Sequence, residues 1–243
     1  LASVAVMVLI WAVAAQVADR PQTLPGPWQV ATRMVALAAS GELWFNAGMT
    51  LMRVGLSFVL AMAVGMALGL AMGRSRAADN WLNPALIIGL NVPALVVIVL
   101  SYIWIGLNET AAILAVALNK IPVVTVMIRE STRALRPDLD DMAEAFQMPA
   151  MTRLRHVVLP QLAPHIAAAA RAGVSLIWKI VLVVEFLGRS NGVGFKIHLL
   201  FSSFDVEGVL AWSLAFVGVM LAIDLLILRP WERHANRWRR DAA

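Results

Sequence analysis

Six stretches of this chain are apolar for long enough to cross a bilayer, and no other feature limits its possible folds so sharply. They fall at residues 1–17, 47–73, 83–105, 110–128, 165–187 and 208–228. A hydrocarbon core of about 30 Å needs roughly 20 helical residues, and backbone in lipid must satisfy its own hydrogen bonds. The expected fold is therefore an all-α integral membrane protein, one transmembrane domain over residues 1–243 with about six spanning helices. Composition agrees: 60% of residues are hydrophobic and 14% charged, whereas soluble domains run at about 45–50% and about 25%.

The basic residues set the orientation. The segments after the second and fourth runs, with the tail 229–243, hold Arg74, Arg76, Arg129, Arg133, Arg136, Arg153, Arg155, Arg229, Arg233, Arg237, Arg239 and Arg240. The other side holds Arg20, Arg33, Arg189 and Lys196. Twelve against four places the 129–164 loop, the tail and both termini in the cytoplasm by the positive-inside rule. The net charge of +5 and the pI near 10.7 thus reflect a partnership with the lipid bilayer, and no nucleic acid is expected as a partner.

Within the 129–164 loop, Leu139, Met142, Ala143 and Phe146 recur at i, i+3, i+4 and i+7, which predicts a short amphipathic helix over Leu139–Phe146. Pro149 is expected to end it. A second helical run starts at Thr152 as N-cap and leads to Val157, Val158, Leu159 and Pro160. A membrane protein that keeps so charged and patterned a segment in water uses it to touch something.

Other features lie inside the runs. Gly65, Gly69 and Gly73 line one helix face with bare backbone, for close packing within the chain or between two copies. Pro93 is expected to kink the third span. Arg53, Lys120, Lys179, Glu185 and Asp224 are ionisable groups in apolar surroundings, each costing roughly 2.5 to 3.5 kcal/mol on insertion scales. Lys120 and Lys179 are the deepest. They either line a path for an anionic solute, or pair with Glu185 and Asp224 or snorkel toward an interface and serve structure alone. Arg53 and Asp224 lie nearer the span ends, where interfacial positions are expected. Most of the nine tryptophans fall near span ends, as headgroup anchors do.

Several chemistries are excluded. There is no cysteine, and His156, His165, His198 and His234 show no ligand spacing, so no metal site is expected. The Gly188–Lys196 stretch, GRSNGVGFK, lacks the Gly-Lys-Ser/Thr order of a phosphate loop. Gly192 and Gly194 read instead as turn positions with φ > 0 in an external loop. No nucleophile, base and orienting group cluster, so the chain is not expected to be an enzyme. Residues 1–17 read as a first span preceded by further chain. Ala12, Ala14 and Ala15 would also suit a signal peptide, but no basic n-region is visible.

The polar loop resembles the EAA loop of binding-protein-dependent ABC importer permeases. Counting back from Val157-Val158-Leu159-Pro160 puts Asp141 at the family's Glu, Met142 and Ala143 at its two alanines and Gln147 at its Gly. Thr50 to Val54, Gly106-Leu107-Asn108-Glu109, Val184-Glu185 and Asn191-Gly192-Val193-Gly194-Phe195 are similar to the nitrate, sulfonate and taurine group. That resemblance implies the type I importer transmembrane fold, working as a homodimer in the bacterial cytoplasmic (inner) membrane. It implies two cytoplasmic ATPase subunits that hold ATP and Mg, with no cofactor on this chain. A periplasmic or lipid-anchored solute-binding protein would deliver a small anionic solute. The coupling residues it implies are Asp141, Ala143, Glu144, Phe146, Gln147, Met148, Leu159 and Pro160, with Phe146 and Met148 as apolar anchors in an ATPase groove. Arg53, Lys120, Lys179 and Glu185 are candidates for the translocation path. The alternative is a secondary transporter or channel subunit not powered by ATP.

Overall fold

The computed structural model describes residues 2–230. Leu1 and the tail from residue 231 onward, read above as cytoplasmic, lie outside the described residues. The described residues are almost wholly helical: α1 (Ala2–Ala18), α2 (Pro27–Ala39), α3 (Glu42–Arg74), α4 (Arg76–Asn91), α5 (Ala94–Ile105), α6 (Glu109–Arg133), α7 (Pro137–Ala145), α8 (Ala150–Arg153), α9 (Leu159–Gly188), α10 (Val193–Ser202) and α11 (Val206–Ile223). π-helical turns at Leu154–Val158 and Asp224–Leu228 join α8 to α9 and follow α11.

Four continuous helical segments are long and apolar enough to cross a membrane: Glu42–Arg74, Glu109–Arg133, Ala150–Gly188 and Val206–Ile227. Helices α4 and α5 would form a fifth crossing only as a bent pair, and α1 has 17 residues, the lower end of the spanning range of about 17 to 25.

The third run is not the kinked rod expected from its sequence. It breaks into α4 and α5, which meet at 98°. The cause is local: Pro93 has no N–H to donate, and the residue before a proline is driven out of the helical region, as Val92 is at φ −71°, ψ 124°. The fifth run also differs, since the helical path is continuous from Ala150 through the π turn to Gly188. The stretch 188–207, expected as a loop, contains α10, whose Val193, Ile197 and Leu200 at i, i+4 and i+7 pack into one core with α2, α3 and α11.

Helices α3 and α6 form the spine, with α9 packed across both. Gly65, Gly69 and Gly73 all face α6 of the same chain: a Cβ would lie 2.7 Å from Val124 Cβ at the first, 2.7 Å from Ile128 Cβ at the second and 2.5 Å from Thr132 Cβ at the third. Lipid offers no hydrophobic drive between helices, so close backbone approach over two turns supplies the packing that water would otherwise enforce. The outer faces carry Val59, Ile88, Ile103 and Trp104, all largely exposed, as a lipid-facing surface requires.

Candidate functional site

Two groups of polar residues stand at opposite ends of the bundle. At the end where α3 and α6 finish and α9 begins, α7 lies outside the packed core. Its inward face is small, with Ala143 only 1% exposed, and its outward face bears Asp141, Met142 and Glu144. Phe146 follows with 74% of its surface open, Met148 is half-buried, Leu159 is half-buried and Pro160 is exposed. Asp140 fastens the helix to the bundle: its carboxylate meets Arg74 at the end of α3 at 3.2 Å and Arg153 of α8 at 2.9 Å. Gln161 accepts from the Arg136 N–H at 3.2 Å and donates to the Val157 carbonyl at 2.9 Å, tying the start of α7 to the first turn of α9. Beside it, the Arg136 guanidinium holds the Asp138 carboxyl below the ordinary carboxylate range through their hydrogen bond.

Helix α7 begins and ends within two residues of the predicted Leu139–Phe146, but Pro149 does not end it. Gln147 adopts φ +49°, its N–H bonds the Glu144 carbonyl at 2.9 Å, and the Met148 N–H bonds the Ala143 carbonyl at 2.9 Å. This is a Schellman termination with glutamine in the left-handed position that favours glycine. Pro149 instead occupies the N-cap of α8, the place expected for Thr152.

At the far end, one buried guanidinium gathers four segments. Arg53 of α3 is 1% exposed and Glu185 of α9 is 0% exposed, with 2.5 Å between Nη1 and Oε1. Arg53 also grips Glu109, at the start of α6, by two bonds of 2.7 and 2.8 Å, and donates to the Asn191 carbonyl at 3.0 Å. Glu185 accepts further from the Thr50 hydroxyl at 2.8 Å and the Gly194 N–H at 2.9 Å. The Gly192 and Val193 N–H groups donate to Asn46 Oδ1 and Thr50 Oγ1, both at 2.9 Å. Arg189 closes the cluster through Glu109 and the Leu107 carbonyl. Two cations and two anions balance, and every carboxylate oxygen is bonded, as a low-dielectric site demands.

Arg53 is thus not interfacial, as its place in the sequence suggested, but the centre of a buried network. Gly192 does take a positive φ, +106°, and a Cβ there would lie 2.4 Å from the Glu185 carboxylate. Gly194 is different: it sits in the first turn of α10, where a Cβ would meet the Leu182 carbonyl at 2.2 Å. Its role is close approach rather than a left-handed turn.

Neither intramembrane lysine pairs with the carboxylates considered for it. Glu185 is taken by Arg53, and Asp224 meets Arg229 at 2.9 Å and Arg171 at 3.6 Å. Lys120, 8% exposed on α6, has no hydrogen bond or ion pair among the described residues. Lys179 is exposed, with Nζ 5.7 Å from the Trp178 ring centroid. It lines a cavity of about 340 Å³ between α9 and α11 with Arg171, Ser175 and Asp224.

Sequence reasoning missed Glu109, Arg189, Asn46 and Asp140. Glu109 closes one quoted motif and Arg189 lies between two others, but nothing in their spacing says that segments 80 residues apart meet. Asp140 sits beside the predicted apolar face of Leu139, Met142, Ala143 and Phe146 rather than on it, and nothing in the sequence sets it apart from Asp141.

A family model described as "Binding-protein-dependent transport system inner membrane component" matches residues 61–229. Among curated proteins, one from Escherichia coli (strain K12) named as the aliphatic sulfonates transport permease protein SsuC is 30% identical, over 93% of this chain and 88% of its own. Its namesake from Bacillus subtilis (strain 168) is 28% identical over 97% and 85%. The taurine transport system permease protein TauC of Escherichia coli is 25% identical over 94% and 84%. Among solved structures, the MetNI methionine ABC transporter in inward facing conformations contains a chain with the same fold, at TM-score 0.66 and 17% identity, covering 84% of this chain and 99% of that one.

Proposed function

The chain belongs to the family of binding-protein-dependent transport system inner membrane components, and on that premise we propose how this permease subunit is driven and what it carries. The basic end faces the cytoplasm, supported by the twelve-to-four arginine and lysine asymmetry. There α7 sits in a groove of an ATPase subunit, with Phe146 as its apolar anchor and Asp141 and Glu144 against basic groove residues. Two copies of this chain work with two such subunits, which bind ATP and Mg, and a periplasmic or lipid-anchored solute-binding protein docks on the opposite side.

Closure of the ATPase pair moves α7 as a rigid lever. Asp140 passes that motion to α3 through Arg74 and toward α9 through Arg153. At the other end, the Arg53 network binds α3, α6, α9 and the start of α10 into one body, so the displacement reaches the external mouth undiminished. Interfaces of this kind switch between packed arrangements rather than deform continuously.

The cargo is a small anionic solute of the sulfonate or taurine kind. Supporting this are the names of the relatives and two lysines, Lys120 and Lys179, with no carboxylate partner among the described residues. A cation inside a span lowers the barrier for an anion that has shed its water.

The observation that carries the reading is α7 itself, a helix held outside the bundle by ion pairs on its inner side and bearing an exposed phenylalanine at its end. Reconstitution in vesicles tests it: uptake of an alkanesulfonate must require ATP on the α7 side and the binding protein on the other. Uptake that runs on an ion gradient without ATP rejects it.

A further inference from the structure

A polar cavity of about 550 Å³ opens at the basic end where α3 turns into α4, lined by Arg74, Arg76, Arg133, Asp79, Asn80, Gly73 and Met72. Its depth in the membrane follows from helix lengths. Helix α6 has 25 residues, or about 37 Å at 1.5 Å per residue. That matches a hydrocarbon core of about 30 Å plus part of each headgroup layer, so Arg133 near its end stands at headgroup level.

The charges around the cavity do not balance. Asp79 is shared by Arg129 at 3.3 Å and Arg133 at 2.6 Å, and Asp140 is shared by Arg74 and Arg153. Glu130 likewise serves Arg129 at 2.9 Å and Arg133 at 3.6 Å. Arg76 is exposed and has no ion pair or hydrogen bond among the described residues. Five guanidiniums therefore face three carboxylates, and two positive charges are left beside an open space. Guanidinium donors match phosphate oxygens in pairs. Next to the mouth, Trp81 is 86% exposed and Ile88 lies two turns further along α4, also exposed, giving an apolar strip that runs from headgroup level into the hydrocarbon.

We propose that this cavity holds the phosphate of an anionic phospholipid from the leaflet at the basic end, with Arg76 and Arg133 on the phosphate, Asn80 beside them and the acyl chains along Trp81 and Ile88. A bare phosphate ion would use the guanidiniums but leave the apolar strip unused. A basic pocket between spans at the cytoplasmic side is where anionic headgroups bind. The site does not depend on what the permease carries.

The test is native mass spectrometry of the chain in the assembly in which it purifies, from mixed micelles with equal phosphatidylglycerol and phosphatidylcholine. Phosphatidylglycerol should be retained preferentially, and Arg76→Gln should cut that retention by about fivefold, the worth of one arginine near a charged leaflet. Arg76 has no structural partner to lose, so this variant folds. Arg76→Gln with Arg133→Gln should remove the preference, while Arg33→Gln at the far end should leave it intact. Equal retention of the two lipids, or retention indifferent to Arg76→Gln, overturns the proposal. Displacement of phosphatidylglycerol by millimolar inorganic phosphate would mark a soluble-phosphate site instead, and loss of the preference on ATPase binding would mark a subunit contact. Either result also overturns it.

Discussion

Arg53 and Glu185 stand 132 residues apart in the chain and 2.5 Å apart in the fold, the first 1% and the second 0% exposed. Neither could be buried alone, since an isolated ion in a medium this apolar costs several kcal/mol even after relaxation. The pair therefore fixes where α3 meets α9. Arg53→Ala leaves Glu185 uncompensated and should destabilise the protein by about 3–5 kcal/mol. Glu185→Gln keeps an acceptor for the Thr50 hydroxyl and the Gly194 N–H and should cost less. Thermal unfolding of both variants in detergent checks the ordering.

The glycine ladder gives a prediction with an internal control. At Gly69 a methyl would lie 2.7 Å from Ile128 Cβ and 2.8 Å from the Thr125 carbonyl, whereas nothing lies within 4 Å of a methyl at Gly55 on the same helix. Gly69→Ala should lower stability by about 1–3 kcal/mol by forcing α3 from α6. Gly55→Ala should be neutral or slightly stabilising. Melting temperatures of the two variants decide it.

Gln147 tests how α7 ends. Its φ of +49° costs a non-glycine residue about 1–2 kcal/mol. Gln147→Gly should leave the termination intact, and Gln147→Val should break it. Hydrogen exchange at the Met148 amide, bonded to the Ala143 carbonyl, should stay slow in the first variant and become fast in the second.

Phe146 is open to solvent, so Phe146→Asp should not disturb folding or insertion. It should weaken association with the ATPase by tenfold or more, as loss of a central apolar anchor does, and abolish ATP-driven uptake. Co-purification and vesicle uptake measure the two effects separately. Normal values for both would remove Phe146 from the interface.

What could be read from sequence divides along physical lines. The apolar runs, α7 and the glycine ladder announce themselves by spacing along one helix, and that spacing locates α7 to within two residues. The four stretches that resemble known permeases, around Arg53, Glu109, Glu185 and Asn191 to Gly194, are visible one by one, yet their convergence on the Arg53–Glu185 pair is not. Convergence is a property of packing, and Arg53 near a span end looks the same in sequence whether it reaches headgroups or buried carboxylates. The break at Pro93 reads in sequence as a kink, because proline predicts lost hydrogen bonds and not the angle that neighbouring helices then impose. Helix α10 reads as a loop because Ser190, Asn191, Gly192 and Gly194 are turn formers that mask the Val193, Ile197 and Leu200 spacing behind them.

The most direct test of the account uses the absence of cysteine from the chain. Phe146→Cys introduces one thiol at the tip of α7, and a short bifunctional cross-linker applied to the assembled particle reports what lies against it. The account predicts a cross-link to an ATPase chain whose yield changes between nucleotide-free and ATP-bound states. A thiol that reacts with an impermeant reagent from outside the cell, or that cross-links to no protein in the assembled particle, would contradict it.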